Sequence, residues 1–163
     1  MSEFKEERKL ARGTKVADED GLPLMVFRGT GEGEDDRSER KFWTEDKEVA
    51  AGYARCSDGE SPHIFSAYLN IRKMMDLDND KHAKRLADRL GREFSADNPR
   101  WELIDDPRAA AAVFTLGFDG LVFQDLNTSN GDEHLTYVSL TSDQVIQLDC
   151  FPLSVQRLSR PRP

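Results

Sequence analysis

The chain has 163 residues, a length that suits one domain and can bury a hydrophobic core. Apolar residues make up 37% and charged residues 33%, and clusters such as 24-LMVF-27 and 109-AAAAVF-114 recur along it, unlike a solvated tail. A net charge of −8 argues against a general nucleic-acid binder, and no run reaches the ~20 apolar residues of a membrane span.

Residues 1–21 are charged, lack the apolar stretch of a secretory signal, and read as an arm or a helix fragment ahead of a domain over 22–153. Residues 24–28, LMVFR, are short, apolar and bounded by Pro23 and Gly29, which predicts a buried strand. Residues 29–41 carry three glycines and five acids and read as a loop. At Phe42 and Trp43 a strand end turns directly into a helix, with Thr44 as N-cap and Val49, Ala50, Tyr53 and Ala54 on one face. Residues 56–62 are a linker, 64–71 a strand, and 76–80 a turn.

Residues 81–94 form an amphipathic pattern, with Ala83, Leu86, Ala87, Leu90 and Phe94 on its stripe and basic residues around the rest. Asp106 and Pro107 open a further helix that stops near Gly117. The last third reads as strands at 118–124, 136–140 and 144–149, with a polar loop over 126–135. The tail 154–163 holds three arginines and no acid. Cys56 and Cys150 form no CxxC, and His63, His82 and His134 lie far from any cysteine cluster, so two thiols in a reducing cytoplasm are expected and no metal site. No P-loop, dinucleotide fingerprint, HExxH or GxSxG is present.

Four segments in order carry a resemblance: 24-LMVFRGT-30, 42-FWTEDKEVAAGYA-54, 117-GFDGLVFQD-125 and 136-TYVSLTSDQVIQL-148. Together they resemble the ADP-ribosyltransferase superfamily, including domains of phage head-morphogenesis proteins and of poly(ADP-ribose) polymerases. The shared pattern is a basic residue and glycine on the first strand, and an aromatic pair leading into a helix that carries a tyrosine. A G-[FY]-D-G strand and a strand ending in Q-[VI] complete it. Gln124–Asp125 also resembles the Q-D that follows this strand in some phage ADP-ribosyltransferases, an anti-CRISPR one among them.

The resemblance implies an α+β fold, a split pair of mainly antiparallel sheets with flanking helices around a cleft for NAD. It implies an NAD-dependent mono-ADP-ribosyltransferase with a macromolecular acceptor, a protein, in a phage or bacterial effector, toxin or inhibitor of host defence acting in the cytoplasm. NAD is consumed as substrate, with no metal. Arg28 would hold a phosphate or ribose, Gly29 the carboxamide, and Tyr53 would stack on nicotinamide over a wall of Phe42, Trp43 and Thr44; Thr30 and Thr136 complete the NAD-binding set.

One position departs from the pattern. The family's catalytic glutamate stands eight residues before the glutamine, and here that position is Thr136. A hydroxyl cannot stabilise a developing oxocarbenium cation as a carboxylate does. Asp125 is the first candidate for the missing charge, facing Thr136 if the two late strands pair, and Glu133 in the loop is the second. Asp119 reads as a turn residue, and His134 as a loop histidine able to hydrogen-bond a ligand. Two alternatives stand beside the enzyme: a degenerate fold that serves as a protein-binding module, and a structural accessory domain of a phage particle.

Overall fold

The computed structural model describes residues 3–31, 39–57, 59–126 and 131–154. Much of the expected loop 29–41 and most of the tail lie outside them. The elements in order are α1 (Lys5–Leu10), β1 (Val26–Thr30), β2 (Lys41–Thr44), α2 (Lys47–Cys56), β3 (His63–Leu69), β4 (Met74–Asp76), α3 (Asp80–Leu90), α4 (Trp101–Asp105), α5 (Ala109–Thr115), β5 (Gly120–Leu126), β6 (Glu133–Ser139) and β7 (Val145–Pro152). The class is mixed α+β: one seven-stranded sheet in the order β4-β5-β6-β2-β1-β3-β7, antiparallel except for β4 beside β5.

The expected pair of sheets is one hydrogen-bonded sheet here, with a narrow junction at its middle. Among the described residues β1 meets β2 at Phe27↔Thr44 alone, whereas β1 and β3 pair from Val26↔Ala67 to Thr30↔His63. On the other side, β2 and β6 pair from Lys41↔Ser139 to Thr44↔Thr136.

Each face of the sheet builds its own core. On one face Leu121, Phe123 and Val138 pack against Leu86, Leu90, Ile104 and Val113 from α3, α4 and α5. α3 is held at both ends: Asn79 accepts from the Lys81 N–H at 3.0 Å, and Gly91 closes the helix at φ 68°. That left-handed residue ends the helix before Phe94, which packs beyond it as part of the same cluster. α4, for which the sequence pattern predicts no element, buries Leu103 and Ile104.

The second face packs Trp43, Phe65, Leu69, Ile71 and Tyr137, covered by Val16 and Leu24. The charged N-terminal segment is therefore docked. Ala11 and Val16 are buried, Thr14 Oγ1 donates to the Ile71 carbonyl at 3.1 Å, and Arg8 Nε donates to Tyr68 Oη at 3.2 Å. β4 falls between the expected strand 64–71 and the expected turn 76–80, sharing only Asp76 with that turn; three residues are too short for a periodic signal, and parallel pairing with Gly120–Val122 defines the strand.

Candidate functional site

The narrow junction of the sheet positions the site. The register pairs Phe27↔Thr44, Thr44↔Thr136, Thr136↔Phe123 and Asp125↔His134 place these side chains on one face, because opposite residues in an antiparallel pair share a face. Gly29 and Phe42, two residues along their strands, share it too.

α2 crosses this face at very close range. A Cβ on Gly29 would stand 1.8 Å from the Ala50 carbonyl oxygen and 2.8 Å from the Ala54 nitrogen. Gly29 thus meets a packing demand from the helix as well as facing the cleft. α2 is capped by Asp46, whose carboxylate accepts from the Glu48 N–H at 2.8 Å; Thr44, the expected cap, accepts instead from the Asp46 N–H at 3.1 Å. The strand end and helix start are two residues further apart than the sequence pattern suggested.

The result is a cleft of about 270 Å³. Arg28, Gly29, Phe42, Trp43, Thr44, Tyr53, Asp125 and Thr136 line it, with Phe27, Ala50, Ser57 and His134. Thr30 and Glu133 do not. Thr30 ends β1 one residue beyond Gly29, and Glu133 opens β6 one residue before His134. Glu133 pairs with Leu126, and its charge acts on Asp78.

Tyr53 spans the mouth of the cleft from α2 and is about half exposed. Its hydroxyl donates to Asp125 Oδ2 at 3.5 Å. Burial, then the charge of Asp125, then this hydrogen bond push the phenol pKa upward, so Tyr53 stays protonated and a donor at neutral pH. Asp125 Oδ1 accepts from the Leu126 N–H at 2.9 Å, which orients the carboxylate.

Asp125 and Thr136 do not face each other directly. Asp125 opposes His134 and Thr136 opposes Phe123, so the two are diagonal neighbours on one face. Thr136 is buried, 5% exposed. Trp43 belongs mainly to the second core, where its Nε1 donates to Ser139 Oγ at 3.0 Å.

His134 is the residue the sequence reading undervalued. It was placed in the loop, but β6 begins at Glu133. The polar–apolar alternation of His134, Leu135, Thr136 and Tyr137 is a strand signal reaching back beyond the expected start. Its ring lies edge-on to Tyr53, with centroids 6.3 Å apart. Both ring nitrogens are buried and find no hydrogen-bond partner among the described residues.

Two motif residues hold the fold rather than the cleft. The Asp119 carboxylate accepts from the backbone N–H groups of Arg72 at 3.1 Å and Lys73 at 2.7 Å. Gln144 donates to the Asp119 carbonyl at 2.6 Å and accepts from the Leu140 N–H at 2.8 Å. The G-F-D-G strand and the Q-V strand are tied at this corner.

Among the described residues no group of three or more His, Cys, Asp or Glu side chains could hold a metal ion. Cys56 and Cys150 are free and exposed, and no described helix is long and apolar enough to cross a membrane. No protein-family model matches the chain, and no curated protein matches it. Among solved structures it is similar to an anti-CRISPR protein, with a TM-score of 0.42 and 17% identity over 80% of this chain and 95% of that one.

Proposed function

We propose that the chain is an NAD-dependent mono-ADP-ribosyltransferase that modifies a macromolecular acceptor, a protein, as a phage or bacterial effector, toxin or inhibitor of host defence. The reading is carried by one observation: Arg28, Gly29, Tyr53 and Asp125, drawn from three distant stretches of sequence, line a single cleft. Its volume lies just below the ~300–1,000 Å³ usual for small-molecule sites, which suits the nicotinamide–ribose end of NAD rather than the whole molecule.

The chemistry asked of these residues is limited. The bond from ribose C1′ to the nicotinamide nitrogen breaks, and its electron pair leaves with nicotinamide, neutralising the pyridinium. The acceptor nucleophile forms the new bond to C1′, and its proton passes to the Asp125 carboxylate. Asp125 lowers the barrier by standing beside the cationic sugar, and Tyr53 offers a flat ring to nicotinamide while holding that carboxylate.

Thr136 favours a second reading. It is buried, carries no charge and occupies the glutamate position of the resemblance. A degenerate fold that binds a partner or ligand without turnover accounts for it. Labelled NAD incubated with the protein and candidate lysates separates the two. The enzyme reading expects acceptor labelling that falls about 10²-fold or more in Asp125→Ala and hardly changes in Glu133→Ala. NAD binding with no nicotinamide release establishes the second reading instead.

A further inference from the structure

His134 stands in an unusual state for a polar side chain. Its two ring nitrogens are covered, and neither has a hydrogen-bond partner among the described residues. A buried polar atom left without a partner keeps its full desolvation cost, so native structures rarely hold two on one ring without a use. The ring is neither remote nor enclosed by an apolar core. It lines the cleft, opposes Asp125 across the β5–β6 pair, and packs edge-on to Tyr53. Tyr53 itself is about half exposed and held to Asp125 by a contact of 3.5 Å, so a ligand stacking on it can shift it and reach the imidazole.

We propose that His134 is a ligand-binding residue of the cleft, reading a neutral group that both donates and accepts a hydrogen bond. A neutral imidazole offers one N–H and one lone pair, which match such a group and leave a purely apolar ligand unfavoured. This rests on the NAD reading, and within the nicotinamide–ribose end of NAD two groups have that chemistry: the ribose hydroxyls and the primary carboxamide of nicotinamide. The same satisfaction of donor and acceptor makes the contact selective, because a ligand lacking either leaves a nitrogen unpaired.

Calorimetric titration with NAD, ADP-ribose and nicotinamide separately, together with thermal melts, tests the assignment on the full chain. His134→Phe keeps the ring and the edge contact but removes both nitrogens; His134→Gln restores a donor and an acceptor. The expected result is NAD affinity about tenfold or more weaker in His134→Phe and largely recovered in His134→Gln, with a melting temperature of His134→Phe at or above wild type. A parallel loss with ADP-ribose assigns the ribose hydroxyls, and one with nicotinamide assigns the carboxamide. Unchanged NAD affinity in His134→Phe overturns the inference while the NAD reading stands. Where the larger phenyl ring lowers the melting temperature, unchanged NAD affinity in His134→Leu overturns the inference in the same way. Wild type that binds none of the three ligands removes the NAD reading and this inference together.

Discussion

Two residues show how one position answers several demands. Gly29 faces the cleft, yet its missing side chain is also required by the Ala50 carbonyl above it. Gly29→Ala forces α2 off β1, since the obstacle is backbone and cannot rotate away. The expected cost is about 1–3 kcal/mol or more, read as a drop in melting temperature, with distortion of the cleft alongside. Asp106 does its work on the other side of the molecule. It is buried, and it accepts from the side chain and backbone N–H of Arg108 and from Arg92 Nε at 3.0 Å. These bonds hold its carboxyl well below the usual range, with the Arg108 side chain the largest cause and desolvation opposing. A depressed carboxyl stabilises the fold fully above its unfolded pKa of ~3.9 and loses that contribution as pH falls through the lower folded value. Asp106→Asn is therefore expected to lower stability at neutral pH and to flatten the loss between about pH 4 and pH 2 in acid-unfolding curves. Asp106 was read from the sequence as a helix cap; its two arginines come from different segments, and only one of them is near it in sequence.

Among the elements, α3 was the most legible. Its stripe is a local feature, and Ala83, Leu86, Ala87 and Leu90 are all buried, although the expected helix over 81–94 runs past the Asn79 cap and the Gly91 stop that bound the real one. Leu86 is fully buried at the centre of the helix cluster, so Leu86→Ala should cost about 2–5 kcal/mol in denaturant unfolding, through lost transfer energy and the cavity left behind. A surface position on the same helix such as Lys84, paired with Asp88 in solvent, is expected to change stability by no more than about 1 kcal/mol. β4 and α4 were less legible because they are short, and short elements owe their existence to neighbours rather than to propensity. The start of β6 was placed three residues late, and that error moved His134 from strand to loop in the sequence reading.

At the scale of the whole molecule, the sheet has two halves joined, among the described residues, at one register pair, and the cleft lies where they part. The sequence alone determined most of the element types, the apolar stripes and several side chains that come to line the cleft, because capping, periodicity and turn chemistry act over a few residues. Strand order, register and the seat of α2 were decided by tertiary structure. These depend on packing between residues far apart in the chain: Gly29 under Ala50, Thr136 beside Phe123, Asp125 opposite His134. A one-residue change of register would turn each of those side chains to the other face. No local pattern carries that information, which is why the acids and the aromatic pair could be named from the sequence while the histidine between them could not be given its place.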